Sequence, residues 1–392
     1  MKGAILFLLA VAVGAITTFL LLRPGNVAQS EGSASKLSFD GDSSELKQTA
    51  FVPTLDTPIP DGKSAVWCAS FQLAWDKLKS DVVKGPVEIT NAEVVCDRLN
   101  KSAPVADDLP TEAYFAAAGL ADDGVCGAIQ SEMAHRFPHV QPHRFGNLPG
   151  GVVAYAYIEA KVDYGSPYLT NHREFRFRGS DSVSNPLRSF GIQSAAEPDV
   201  PHKTQKQVSV LFANEKMVNN EAELVSFAVD LDRDSHPNHV VLARVDWKGT
   251  LASTLAEVER LGRSSAQADR SKRDEEQRTA LNYDDTLIVP EMHWKVSHEF
   301  RELFGPGKHL KIGDDSLRII AAEQMVRFRL DSRGAGIESS AKMAAVKAAL
   351  PVHPRHFHFD HPFLLYLKKR GAERPFFVMW VENAELMSGT GS

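Results

Sequence analysis

The chain has 392 residues, of which 43% are apolar and 24% charged, with a formal net charge of −6. That is ordinary globular composition, and the length suits one large domain or two smaller ones. The acidic balance offers no basic footprint for nucleic acid, so that class of partner is not expected. The three cysteines, Cys68, Cys96 and Cys126, are odd in number and widely spaced. They make neither a disulfide framework nor a zinc ribbon, and they read as small buried hydrophobes with room for at most one bridge.

Residues Gly3 to Leu22 (GAILFLLAVAVGAITTFLLL) carry no charge, with Lys2 before them and Arg23-Pro24 after. A run of about 20 apolar residues can cross a bilayer as a helix. Signal-peptide apolar cores are usually shorter, and the best small-residue cleavage pattern, Ala28-Gln29-Ser30, lies far from the run. Residues 1–23 are therefore expected to form an uncleaved membrane anchor, with a cleaved signal as the alternative. Either way the remainder is expected outside the cytoplasm, tethered or secreted. Residues 24–50 are rich in Ser, Gly and acidic side chains, and they read as a flexible linker because they can bury little apolar surface.

The folded part is expected from residue 51 to 392. SAVWCASFQLAWDKLKSD (64–81) puts Trp67, Phe71, Ala74, Trp75 and Leu78 on one helical face. ITNAEVVCDRLNKS (89–102) reads as a second helix, with Asn91 as cap and Glu93 in its first turn. ADDGVCGAIQSEMAHRF (121–137) reads as a third, stopped by Pro138. The pattern then turns to strands at 151–162, 172–179, 206–218, 222–232 and 239–247, where HREFRFRG alternates Phe with charge. A helix follows at 250–262, then a charged loop at 264–279. Further strands are expected at 285–297 and 316–331 and in two C-terminal runs. Strands dominate without the alternating helices of a parallel α/β fold, so the class is mixed α+β.

The search for chemistry finds little. His353, His356, His358 and His361 crowd one stretch, but it is extended and broken by Pro351, Pro354 and Pro362. Only His356 and His358 would share a strand face there, so no metal site is expected. HEFRE (298–302) opens like a helical zinc motif, yet Glu302 stands where the second histidine is needed. His135 and His139 are four apart, but Pro138 interrupts the helix that would align them. No nucleophile elbow or phosphate-binding glycine loop occurs. No enzyme activity and no cofactor are expected.

FHFDHPFLLYL (357–367) carries a different signal. Phe357, Phe359, Asp360, His361, Pro362, Phe363, Leu364, Leu365 and Leu367 each fill their place in a pattern that resembles the C-terminal signature of the serpins, the serine protease inhibitor family. The polar turn KKRGAERP and the run FFVMWVEN fit the buried C-terminal hairpin of that family. RFRLDSRGAGIESSAKMAA (327–345) resembles the strand that leads into the reactive-loop hinge. Gly336, Ile337, Glu338, Ser339, Ser340 and Ala341 align with a family hinge that reads roughly Gly-Thr-Glu-Ala-Ala-Ala, and an alternative register starts at Gly334. Between Asn100 and Gly150 the chain is much shorter than a typical serpin, so elements of the first half should be missing.

The resemblance implies a serpin-like domain over 51–392: a large, mainly antiparallel central sheet, a C-terminal β-hairpin in the core, and flanking helices. It implies an exposed reactive loop at about 336–354 that a serine-type endopeptidase, the expected partner, would cut at Lys347, Ala348, Ala349 or Leu350. After cleavage the loop would insert as a strand. That requires alternating faces, and Ile337, Ser339, Ala341, Met343 and Ala345 would point inward while Glu338, Ser340, Lys342 and Ala344 point outward. The alternative is a non-inhibitory, membrane-tethered scaffold of the same shape, since MAAVKAAL has high helical propensity.

Overall fold

Strand-forming stretches dominate the chain, and the fold pairs them into several sheets around a shared apolar core. The computed structural model describes residues 6–9, 37–140, 145, 151–180, 186–192, 202–218, 221–269, 281–282, 284–335 and 354–390.

In chain order, β1 (Leu6–Leu9), β2 (Phe39–Asp42), β3 (Thr49–Phe51) and β4 (Ser64–Cys68) precede α1 (Ala69–Lys77) and α2 (Glu93–Lys101). Next come β5 (Tyr114–Leu120), α3 (Val125–Arg136), β6 (Val152–Ile158), β7 (Val162–Asp163), β8 (Leu169–Phe175), β9 (Leu187–Ile192) and α4 (His202–Gln207). The middle of the chain holds β10 (Ser209–Val218), β11 (Glu221–Asp230), β12 (Asn238–Arg244) and α5 (Leu251–Asp269). The rest holds β13 (Thr286–Pro290), β14 (Met292–Glu299), β15 (His309–Ile312), β16 (Asp315–Leu330), β17 (Gly334–Ala335), β18 (His356–His358), β19 (Phe363–Lys369) and β20 (Phe377–Val381).

The class is mixed α+β, as the strand-rich second half implies. The largest sheet has seven strands in the order β10-β11-β12-β19-β20-β4-β3, and every neighbouring pair is antiparallel except β3 and β4. The C-terminal hairpin β19–β20 lies inside it, and Phe363, Leu364, Leu365, Val378, Met379, Trp380 and Val381 are buried. Burial on both faces explains why these strands read as continuous apolar runs rather than alternating ones. A second sheet has the order β18-β13-β9-β8, and a third runs β1-β16-β14-β2 with β15 also on β16.

Several expectations change. The single helix expected over 64–81 is divided: Ser64–Cys68 is β4, paired to β20, and the helix starts at Ala69. Val66 and Trp67 satisfy a helical stripe and a buried strand equally, and the open edge of β20 decides between them. α2 begins after Ala92 rather than on Asn91; Asn91 takes φ 59° and its backbone N–H donates to Glu93 Oε1 at 3.0 Å. Helix α5 continues to Asp269, into the stretch expected to be a charged loop.

The expected linker is also partly built into the fold. Of residues 24–50, the described part from Leu37 onward joins two sheets. Glu385 holds it there, accepting hydrogen bonds from the Lys47 N–H at 2.7 Å and the Thr49 hydroxyl at 2.8 Å. The acidic residues counted as solvating are in use too: Asp42 caps the short turn Ser43–Glu45. The expected membrane run lies outside the described residues apart from Leu6–Leu9, which form β1, parallel to β16 with Leu6 opposite Arg318. An exposed strand edge offers ladder hydrogen bonds that an apolar segment can take as readily as it takes a helix. Among the described residues no helix is long and apolar enough to cross a membrane. All three cysteines are free thiols, and burial pushes the Cys96 thiol up to about 11.

His298 belongs to β14, not to a helix, so the spacing in HEFRE aligns nothing. Its ring stacks on Phe51 at 5.5 Å, and its Nδ1 pairs with the Ser43 hydroxyl at 2.7 Å. Burial lowers this imidazole from 6.5 to about 4. The unfolded chain then binds a proton between those two values that the folded chain does not. Stability should therefore fall as the pH drops from about 6.5 to 4, by about 3 kcal/mol in all. Urea unfolding of His298→Gln beside the natural chain at pH 7 and pH 4.5 should show a shallower loss in the variant. Equal losses in the two proteins would assign the acid sensitivity to other groups.

Candidate functional site

The candidate site is the stretch between β17 and β18, and its two ends are well built. At the first end β16 closes into a tight turn. The Asp331 N–H donates to the Gly334 carbonyl at 3.2 Å, and the Arg333 N–H donates to Asp331 Oδ1 at 2.9 Å. Tyr168 N–H adds a bond to the Ser332 carbonyl at 2.7 Å. β17 then pairs antiparallel with β7, Gly334 opposite Asp163 and Ala335 opposite Val162. Gly334 has φ 151°, and a Cβ there would meet the Val162 carbonyl oxygen at 2.4 Å. Only glycine fits that turn.

At the second end an ion pair fixes the returning chain. The Arg355 guanidinium donates to Asp285 Oδ2 at 2.6 Å and 3.0 Å, and the Arg355 N–H donates to Asp285 Oδ1 at 2.8 Å. The Asp285 side chain is fully buried and that of Arg355 is 16% exposed. The Thr286 N–H donates to the Arg355 carbonyl at 2.9 Å, which starts the parallel pairing of β13 with β18. His356 and His358 share the face that strand parity assigns them, and both hydrogen-bond the Thr286 hydroxyl, at 2.9 and 2.8 Å.

The signature residues continue from there into the core. Phe357, Phe359 and Phe363 have no exposed surface. Phe227 meets Phe357 and Phe359 edge-on at 5.3 and 5.1 Å, and Phe359 meets Phe363 at 5.2 Å. Such edge-to-face arrangements add to the area buried. The Asp360 carbonyl accepts from the Arg178 N–H at 2.7 Å, and its carboxylate pairs with His361 Nδ1 at 2.9 Å. Pro362, half-buried, ends this approach before β19.

The flank of β16 matters as much as the ends. β14 pairs with Glu323–Leu330 on one side. On the other side β1 pairs with Arg318–Ala322 and lies beside β6. Among the described residues no strand pairs with Glu323–Leu330 on the flank away from β14.

The hinge residues Gly336, Ile337, Glu338, Ser339, Ser340 and Ala341 lie outside the described residues, as do Lys347, Ala348, Ala349 and Leu350 and the remaining expected inward and outward positions. Gly334 is the one hinge candidate that is described. Asp285 and Arg355 were not singled out in the sequence. The only trace of their pairing is an aspartate at the mouth of an apolar strand and a lone arginine among histidines, 70 residues apart. His135 and His139 stay apart in role: α3 ends at Arg136, and His139 Nε2 bonds Glu159 at 2.7 Å.

No protein-family model matches the chain, and no curated protein matches it. Among solved structures it is similar to thyroxine-binding globulin in complex with thyroxine, at 12% identity and a TM-score of 0.44, over 82% of this chain and 93% of that one. It is similar to Serpin48, a highly specific serpin of the insect Tenebrio molitor, at 12% identity and a TM-score of 0.41, over 82% and 92%. It is also similar to native protease nexin-1 with heparin, at 11% identity and a TM-score of 0.43, again over 82% and 92%.

Proposed function

We propose that the chain is a serpin-like inhibitor of a serine-type endopeptidase and acts as a suicide substrate through residues 336–354. The protease serine would attack the carbonyl of one residue among Lys347–Leu350. The peptide bond would break, the following amine would leave with the proton, and an acyl ester would join the two proteins. The freed segment would then fold back antiparallel to β16. The observation that carries this reading is the flank of Glu323–Leu330, which has no strand partner among the described residues and adjoins the root of the segment. A strand edge with unmet N–H and C=O groups is a template for one more strand. The small residues among Ile337, Ser339, Ala341, Met343 and Ala345 suit the inner face of such a strand. In this reading the N-terminal apolar run exports or tethers the domain.

A second reading, a non-inhibitory scaffold, draws on β1. That strand already takes part of the same flank, at Arg318–Ala322 beside β6, which leaves a shorter slot for insertion.

Limited proteolysis within 336–354, followed by thermal unfolding, separates the two. Insertion should raise the melting temperature by about 10 °C or more, since a new set of buried ladder bonds and side chains adds several kcal/mol to a domain of this size. An unchanged melting temperature, together with no protease adduct that survives boiling in detergent, would remove the inhibitory reading.

A further inference from the structure

Helix α1 does not end in an ordinary cap. It runs into a π-helical turn, Leu78–Val83, closed by Lys84 in the left-handed region at φ 56°. π-Turns and left-handed non-glycine residues are unfavourable, and both concentrate where a fold serves a ligand. Against this turn lies a half-open cleft of about 600 Å³. Its floor is apolar, formed by Leu73 of α1 and by Tyr114 and Ala116 of β5. Its rim carries Lys77, Lys79 and Lys84. That combination of volume, apolar floor and few charged groups is the usual make-up of a small-molecule site.

The charges in the cleft are unevenly committed. Lys77 pairs with Asp81 at 3.4 Å. The Lys79 ammonium donates to the Asn100 carbonyl at 3.2 Å, which holds it in place with donors to spare. Lys84 is exposed and has no ion pair among the described residues. Among the described residues that line the cleft, Asp76 is the one acid. Its Oδ1 accepts from Gln72 Nε2 at 2.8 Å, while its buried Oδ2 has no partner. Burial raises the Asp76 carboxyl from its ordinary value, and the nearby Lys79 ammonium opposes that rise.

We propose that this cleft binds a small amphipathic carboxylic acid, its apolar body on Leu73, Tyr114 and Ala116 and its carboxylate held by Lys79 and Lys84. The inference is independent of the inhibitory reading, because the cleft uses no residue between 336 and 354.

Calorimetric titration of the full chain with dodecanoate tests it, with dodecanol as the neutral probe of equal chain. Saturable one-site binding of dodecanoate is expected, at least tenfold tighter than that of dodecanol. Lys79→Ala/Lys84→Ala should reduce dodecanoate to the dodecanol level, and Ala116→Phe should weaken both probes by filling the floor. Lys84→Ala alone, an exposed position that does not threaten folding, should still weaken dodecanoate at least threefold and leave dodecanol unchanged. Equal affinity for the two probes, absence of saturable binding, or dodecanoate binding indifferent to Lys84→Ala would each overturn the proposal.

Discussion

Asp285→Ala is expected to lower the unfolding free energy by about 3–5 kcal/mol, among the largest losses available from one substitution in this chain. The carboxylate is fully buried and takes three hydrogen bonds from a single residue, Arg355, whose own side chain is only 16% exposed. Removing it leaves a guanidinium in a poorly solvated place and takes the acceptor from two backbone N–H groups, those of Arg355 and Asn282. Arg355→Met should cost less, because the buried carboxylate loses its counter-charge but keeps the backbone N–H groups of residue 355 and Asn282. Replacing both together, as Asp285→Leu/Arg355→Met, should cost much less than the two single losses combined, since a buried pair contributes little net stability over apolar substitutes. Chemical denaturation of the four proteins completes the cycle. Additive losses would mean that the two groups act separately. Arg355 follows directly on 336–354, so loosening the pair should also speed proteolysis in that segment.

Phe359→Ala carries the second large effect, about 3–5 kcal/mol. Its ring has no exposed surface and touches Phe227 and Phe363 edge-on at 5.1 and 5.2 Å. Truncation removes the transfer gain of the whole ring and leaves a cavity that strands on either side are too rigid to fill. Phe359→Leu keeps most of the volume and should cost less than half as much. Urea midpoints measure both. A loss below about 1 kcal/mol for the alanine variant would mean that the cluster collapses onto the gap and that its packing is not specific. Histidine substitutions nearby make a useful contrast: His356→Ala touches an exposed side chain bonded to Thr286 and should change stability little.

Much of the architecture was legible because period and composition report burial directly. The Leu, Val and Phe runs at 363–369 and 377–381 read as strands, and the mixed α+β class followed from the order of strand-like and helix-like stretches. Residues 64–68 read as helix because Val66 and Trp67 fit both periods, and only the partner strand β20 separates them. The segment 37–50 reads as linker for a related reason. Its polar composition suits solvent, but Glu385, more than 330 residues away, satisfies its backbone N–H groups.

What the sequence alone determined about this protein is therefore local: which runs must be buried, where turns must fall, and where a chain rich in small residues interrupts two strands. What only the tertiary structure decided is pairing. The union of Asp285 with Arg355, the pairing of β14 with Glu323–Leu330, the parallel seat of Leu6–Leu9 on β16, and the lysine-lined cleft beside Tyr114 each join residues apart in the chain. Hydrogen-bond and charge partners are chosen by geometry after collapse, and a one-dimensional pattern of apolar and polar residues holds no record of that choice.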